Sequence, residues 1–311
     1  MNVNILMSTY NGQEFLAEQI RSIQAQTFTD WVLLIRDDGS RDRTREIIAD
    51  FAKQDSRIHL INPDSTENLG VIKSFHALVQ YQRADVYFFS DQDDVWLPDK
   101  LQVTLETAQA YPADQPLMIY TDLKVVNQDL QVMNESMIRS QSHHANTELV
   151  QELTENTVTG GTSMINHALA ELWTVTDDIL MHDWYLALLA TAFGKLVYVD
   201  QPTELYRQHA ENVLGARTLS KRFKKWIRPH VLFSVYWDLI RNSQKQASHL
   251  LALPLAPTDR NLVEAFVTIM DKPMPERYRI LKTYGLRKNK AFHTLVFTSL
   301  ILTKFAYKER T

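Results

Sequence analysis

The chain has no cysteine in its 311 residues, which excludes disulfides, a thiolate nucleophile and Cys-type zinc sites. It has no apolar stretch near the roughly 20 residues that a membrane-spanning helix requires. The closest candidate, Leu295 to Leu302, is too short and is flanked by Lys290 and Lys304. A secretory signal is not expected either, because Met1-Asn2-Val3-Asn4-Ile5-Leu6-Met7 lacks a basic start and runs directly into polar Ser8-Thr9-Tyr10-Asn11. There is no excess of positive charge: the net charge of −4 gives no reason to expect nucleic acid as a partner. No internal repeat or low-complexity tract is present. These absences lead to the expectation of a cytoplasmic protein, free or peripheral on a membrane surface.

What is present is enough apolar residue, 45% of the chain, for one large core or for a catalytic domain with an appendage. The first half alternates short apolar runs with amphipathic stretches, the pattern of an α/β fold with a mostly parallel sheet flanked by helices. Val3 to Met7 reads as a first strand. From Glu14 to Gln26 a helix places Phe15, Leu16, Ile20 and Ile23 on one face. Trp31 to Ile35 and Ile58 to Ile61 read as further strands, with a helix from Arg43 to Lys53 between them. Val71 to Gln82 reads as a helix, and Val86 to Phe89 is apolar enough for a central strand. Pro98 suits a helix start. Later segments are less regular: Leu117 to Tyr120 and Leu196 to Val199 read as strands, Ala168 to Trp173 and Trp184 to Ala192 as helices. The composition shifts near residue 216, separating a catalytic region (1–216) from a helical C-terminal region (217–311).

Polar clusters fall at the C-terminal ends of successive strands, the edge where open α/β sheets bind ligands. Ser8-Thr9-Tyr10-Asn11-Gly12 ends the first strand and offers an aromatic plane and backbone donors. Asp37-Asp38-Gly39-Ser40 ends the second, where a carboxylate can accept from a ribose or base edge, or equally form an Asx turn and helix cap. Ser90-Asp91-Gln92-Asp93-Asp94 ends the fourth. Asp91 and Asp93, two apart, project to one side, an arrangement of hard oxygen ligands suited to Mg²⁺ or Mn²⁺. Taken alone, a D-x-D is common and reads first as a solvated acidic loop.

In combination and in this order, the three turns and Asn68-Leu69-Gly70 strongly resemble the inverting family 2 glycosyltransferases of the GT-A fold. The resemblance covers about residues 1 to 215. It implies a nucleoside-diphosphate sugar donor, with Tyr10 and Ser8 at the nucleobase and Asp38 at the base or ribose. It also implies Asp91 at the ribose and metal, Asp93 ligating Mn²⁺ or Mg²⁺ at the diphosphate, and Lys73 near the nucleotide. Gly160-Gly161-Thr162 followed by His182-Asp183-Trp184-Tyr185 resembles the acceptor side of these enzymes and implies Asp183 as the catalytic base; the residues alone read first as a helix N-cap there. The processive members carry a Gln-x-x-Arg-Trp motif, where this chain has Tyr206-Arg207-Gln208-His209-Ala210-Glu211-Asn212. That form resembles the bacterial, notably streptococcal, rhamnosyltransferases of cell-wall polysaccharide synthesis. It implies single transfer from dTDP-β-L-rhamnose, with His209 as a further metal or diphosphate ligand or an ordinary loop histidine.

Between Arg217 and Arg228, Lys221, Arg222, Lys224, Lys225 and Arg228 are interleaved with Phe223, Trp226 and Ile227 and with no acid. This reads as a cationic helix on an anionic membrane surface, or as one packed on the catalytic region with a solvated basic face. A lipid-diphosphate-linked saccharide acceptor would make such attachment useful, at the inner face of the cell membrane. Two other readings of the same residues are a sugar nucleotidyltransferase and a non-catalytic nucleotide-sugar-binding protein. The first should carry a Gly-rich cationic loop after strand one, which Tyr10-Asn11-Gly12-Gln13-Glu14 does not supply.

Overall fold

A computed structural model describes residues 1–208 and 229–307. His209 and the basic stretch 217–228, with the division near residue 216, lie outside the described residues.

The parallel half of the sheet follows from the apolar runs. β1 (Val3–Thr9), β2 (Val32–Asp37), β3 (Ile58–Leu60) and β4 (Val86–Ser90) pair in parallel in the spatial order β3-β2-β1-β4. All five residues of β4 are buried, as expected of a central strand. The connecting helices are α1 (Leu16–Gln24), α2 (Thr44–Gln54) and α3 (Val71–Tyr81). Alternate side chains of β1 divide between two cores. Ile5 and Met7 join α1, α2 and α4 (Lys100–Ala108) through Leu16, Ile20, Ile48 and Leu101, while Leu6 packs on the other face with Phe75 and Leu78 of α3.

The second half of the sheet turns mixed. β6 (Leu117–Val126) and β9 (Lys195–Arg207) run parallel to each other. β8 (Ser163–Asn166) lies antiparallel between β4 and β6. Two short strands finish the sheet: β5 (Val95–Trp96) on β9 and β7 (Val132–Asn134) on β6. β9 continues well past the expected end at Val199. The register passes from Thr121↔Val199 to Asp122↔Pro202, so Asp200 and Gln201 form a bulge. Two expected helix boundaries also shift. Pro98 lies two residues before α4 rather than at its first position, and only one helical turn, α6 (His167–Ala170), forms where a helix to Trp173 is expected. Trp173 instead caps a loop, its indole N–H donating to the Val175 carbonyl at 2.8 Å.

α7 (His182–Phe193) is buried along nearly its whole length, beside the one-turn helix α5 (Leu149–Glu152). The C-terminal region is helical as expected: α8 (Pro229–Ser248), α9 (Pro257–Thr268), α10 (Met274–Tyr284) and α11 (Ala291–Thr303). Its Trp237, Leu250, Phe266, Leu281 and Phe297 are continuous with the α3 and α7 core.

At the α7–β9 junction the chain turns beneath the first residues of β6. A Cβ on Gly194 would lie 1.8 Å from the Pro116 carbonyl oxygen, which accepts from Lys195 N at 2.9 Å. Gly194→Ala therefore forces β9 away from β6 and is expected to lower stability by about 2–3 kcal/mol, in the range of overpacked core sites. Urea melts of the two proteins would measure it.

Candidate active site

The strand-end turns are tied to each other by side chains that the sequence placed among them. The Gln92 amide grips the backbone of Tyr10 on both sides, its carbonyl accepting from Tyr10 N at 2.9 Å and its NH₂ donating to Tyr10 O at 3.0 Å. This joins the turn after β1 to the acidic run after β4. It leaves Tyr10 49% exposed, with Ser8 half-buried beside the strand end.

The acidic turn after β2 divides its labour. Asp37, fully buried, makes the Asx turn, accepting from Ser40 N at 3.0 Å and Ser40 Oγ at 2.5 Å, with Thr9 Oγ1 at 3.1 Å. Asp38 reaches across to the Asn68-Leu69-Gly70 segment. Its carboxylate accepts from Leu69 N at 2.7 Å, Gly70 N at 2.8 Å, Ser74 Oγ at 3.1 Å and the Arg36 guanidinium. The Asx-turn reading thus has Asp37 in place, whereas the Asp38 carboxylate is buried and both its oxygens are taken up in shaping a loop. Lys73, one turn into α3 behind that loop, pairs with Asp177 at 2.9 Å and stays about half exposed.

Asp91, Asp93 and Asp94 gather with Glu204 of β9. Loss of hydration, then the charges of Asp93, Glu204 and Asp183, push the Asp91 carboxyl up to about 8, with Lys100 opposing. Burial, then Glu204, raises Asp94 well above the usual range. Asp94 Oδ1 accepts from Arg207 N at 2.9 Å, while its Oδ2 and Glu204 Oε1 are buried without a hydrogen-bond partner. Beneath this group lies the fully buried Lys100 ammonium. It contacts Glu204 Oε2 at 2.5 Å, donates to the Gly161 carbonyl and sits 4.1 Å from the centre of the Trp96 ring.

Arg207, at the end of β9, holds the acidic run from the other side. Its Nε donates to the Asp93 carbonyl at 2.9 Å, its guanidinium bonds Glu18 and the Gln128 carbonyl, and it stacks 4.5 Å over Phe15. Neither Lys100 nor Glu204 stands out in the sequence. They are 104 residues apart and belong to no motif, so only the β5–β9 pairing, which sets Trp96 opposite Glu204, brings them together.

A divalent cation fits this chemistry. Clustered carboxylates with raised affinity for protons and unpartnered buried oxygens are relieved by positive charge. Among the described residues no three His, Asp or Glu side chains form a complete ligand set. A Mg²⁺ or Mn²⁺ held by one or two carboxylates and completed by phosphate oxygens and water needs no more than Asp91 and Asp93.

On the acceptor side, Asp183 occupies the first turn of α7 and is 8% exposed. Its Oδ1 accepts from Trp184 N at 2.6 Å, and Oδ2 faces Gly160. Burial raises it to about 6 against the stabilising N–H groups of Trp184 and Gly160. Its charge is felt at Asp91, so the fold brings the two ends of the sequence pattern into one electrostatic site. Beside it, His182 is caged by Phe75, Phe89 and Trp173, with ring centres 4.3, 5.0 and 6.3 Å away, and burial holds it down to about 3, a neutral ring. A Cβ on Gly161 would meet Glu204 Oε1 at 2.7 Å, so glycine there lets the acceptor-side loop close onto the acidic cluster.

A polar strand-end edge with an exposed tyrosine, a carboxylate cluster suited to a cation and a buried carboxylate whose charge reaches it are compatible with sugar transfer. The glycosyl transferase family 2 model matches residues 4–173, more than half of the chain. The chain belongs to glycosyl transferase family 2. It is 29% identical over 243 residues to the dTDP-rhamnosyl transferase RfbG of Shigella flexneri, covering 72% of this chain and 82% of that protein. It is also 32% identical over 103 residues to the Escherichia coli UDP-Glc:alpha-D-GlcNAc-diphosphoundecaprenol beta-1,3-glucosyltransferase WfgD, covering 33% of this chain and 39% of that one. Two solved structures share the fold. One is S. aureus TarS 1-349 in complex with UDP-GlcNAc (TM-score 0.58, 13% identity, 98% of this chain and 83% of that one). The other is the Pyrobaculum calidifontis mannosyltransferase PcManGT in complex with GDP-Man and Mn²⁺ (TM-score 0.54, 14% identity, 98% and 81%). This family 2 glycosyltransferase thus has the GT-A fold and transfers a sugar from a nucleotide-sugar donor, which sets aside the nucleotidyltransferase reading.

The buried ion pair makes a sharp expectation. Lys100→Met strands the Glu204 carboxylate and should lower stability by about 3–5 kcal/mol, most of it recovered in the double variant Lys100→Met/Glu204→Leu. A double-mutant cycle from urea unfolding would measure the coupling.

Proposed function

We propose that this glycosyltransferase moves L-rhamnose from dTDP-β-L-rhamnose, with inversion and with Mn²⁺ or Mg²⁺, onto a lipid-diphosphate-linked saccharide in cell-wall polysaccharide synthesis. The observation that carries the sugar is the 29% identity to a dTDP-rhamnosyl transferase over 72% of this chain and 82% of that protein. The Arg207-Gln208-His209 form supports the same reading. The diphosphoundecaprenol acceptor in the name of the E. coli relative supports the lipid-linked acceptor. Under this reading residues 1–216 are the catalytic domain and 217–311 a C-terminal region at the inner face of the cytoplasmic membrane.

The exposed Tyr10 ring stacks on the nucleobase, with Ser8 lining the same pocket. Asp38 contributes by shaping the Asn68-Leu69-Gly70 loop along the ribose, and Lys73 lies behind that loop near the nucleotide. Asp91 spans ribose and cation. Asp93 and, beyond the described residues, His209 stand at the diphosphate. When bound, the cation offsets negative charge on the departing nucleoside diphosphate. Asp183 takes the proton of the acceptor hydroxyl as its oxygen bonds to the anomeric carbon and the bond to the diphosphate oxygen breaks. Displacement from the opposite face inverts the configuration, giving an α-linked rhamnoside from a β-linked donor.

Two outcomes are expected. Asp183→Asn should lower kcat by about 10³-fold with little change in donor KM. In the parent enzyme the base must be ionised, so kcat/KM should fall tenfold per unit below pH about 6 and level off above it. Nucleoside diphosphate release, measured with dTDP-rhamnose and a panel of UDP- and GDP-sugars, tests both, and persistence of full activity in Asp183→Asn would remove Asp183 as base. Separately, EDTA should abolish release and added Mn²⁺ restore it. Asp93→Asn should shift the Mn²⁺ titration to about tenfold higher concentration; an unshifted midpoint would take Asp93 out of the cation site.

A further inference from the structure

α11 is largely apolar, with His, Thr and Ser among its apolar residues, and it buries only part of itself. Phe297, Leu300 and Ile301 enter the core, while Phe292 and Leu295, one turn apart on the opposite face, are 56% and 64% exposed. In a helix packed only in water that face would carry polar residues. α10 packs against it, the Arg277 guanidinium donating to the Leu302 carbonyl at 2.9 Å, and presents exposed Tyr278 with Lys282 5.9 Å from its ring. After Glu276 in the first turn of α10, the charge of this hairpin is of one sign. Between Glu276 and Glu309 there is no acidic residue, while Arg279, Lys282, Arg287 and Lys290 all reach the surface. Exposed aliphatic and aromatic side chains with a basic surround, on helices too short to span, match the interface of an anionic bilayer.

The hairpin is also joined to the acceptor side of the site. The loop leading into α11 is bonded to the segment after α5: Thr154 Oγ1 donates to the Arg287 carbonyl at 2.6 Å, the Lys288 ammonium to the Thr154 carbonyl, and Asn289 N to Glu155 Oε2 at 2.8 Å. α5 in turn accepts the Trp184 indole N–H on the Glu152 carbonyl at 2.7 Å, and Trp184 N holds Asp183. A short run of hydrogen bonds thus connects the cationic, apolar hairpin to the candidate base.

We propose that the α10–α11 hairpin docks this enzyme on an anionic phospholipid bilayer, so that an acceptor anchored in that bilayer meets Asp183. The inference rests on the lipid-linked-acceptor reading above. It differs from it in placing the contact on this hairpin and not on residues 217–228. The test is co-sedimentation of the full chain, without substrates, on vesicles of phosphatidylcholine alone or mixed equally with phosphatidylglycerol. Nucleoside diphosphate release by donor hydrolysis is measured in parallel.

Binding is expected only with phosphatidylglycerol present. Phe292→Ser/Leu295→Ser should weaken it about tenfold and Arg279→Glu/Lys282→Glu/Arg287→Glu about a hundredfold, both with parent rates of donor hydrolysis. Parent-like vesicle binding by both variants would overturn the proposal. So would loss of binding only on reversing Lys221, Arg222, Lys224 and Lys225, or conversion of a dimer to a monomer by the hairpin variants with vesicle binding unchanged. Hairpin-dependent binding with no gain in nucleoside diphosphate release when a lipid-diphosphate saccharide is embedded in the vesicles would instead reject the lipid-linked-acceptor reading and leave the docking surface standing.

Discussion

Four carboxylates crowd one corner of this fold, and their repulsion is the constraint around which the rest is arranged. Asp91, Asp93 and Asp94 come from one turn and Glu204 from a strand more than a hundred residues later. Left in water they would spread apart. Here they are held by Lys100 from below and by Arg207 from the side, two cations that both bond to backbone as well as to carboxylates. A buried ion pair adds little net stability, because desolvating both charges offsets most of their attraction. What it does add is geometry. Lys100 meets Glu204, the Gly161 carbonyl and the Trp96 ring together, so the donor-side turn, β9 and the acceptor-side loop have one shared point of registration.

The sheet makes that registration possible. The parallel strands β1, β2 and β4 deliver three polar turns to one edge, and the Gln92 amide ties the first to the third. The reversal at β8 then changes what the second half can do. With β8 antiparallel between β4 and β6, the Gly160–Thr162 turn preceding it arrives at the same edge as the acidic run. The bulge at Asp200 and Gln201 lets β9 continue far enough for Glu204 and Arg207 to reach it.

The parts of this site that were legible in the sequence share a physical property: they are local. Val3 to Met7 and Val86 to Phe89 are apolar runs closed by polar turns, and such signals need no knowledge of what lies across the sheet. The D-x-D spacing, the Asp38 turn and the Asp183 helix start are likewise written within a few residues. The illegible parts are those defined by partners distant in sequence. Lys100 and Glu204 look like surface charges until strand pairing buries them together. Ser163 to Asn166 is too short and too mixed to announce a strand, and Asp200-Gln201-Pro202 has the composition of a turn although the ladder runs through it. Asp38 shows the intermediate case. Its position at a strand end marks it as important, but only the structure shows its carboxylate engaged with the Leu69 and Gly70 amides.

The same electrostatics order the two halves of the site. Asp183 titrates near 6 and Asp91 near 8, each made harder to ionise by burial, and Asp91 also by the charge of Asp183. The carboxyl set among like charges is thus the harder of the two to ionise. Asp183 therefore needs nothing from the donor to be ready to accept a proton, whereas Asp91 takes up its full charge only when positive charge arrives beside it. Neutralising the cluster in turn eases the repulsion that its carboxylates exert on one another. Burial and like charge thus place readiness on the acceptor side and dependence on the donor side. That asymmetry follows from the like charges of Asp93, Glu204 and Asp183 at Asp91, which Lys100 only partly opposes and which have no counterpart among the causes that shift Asp183.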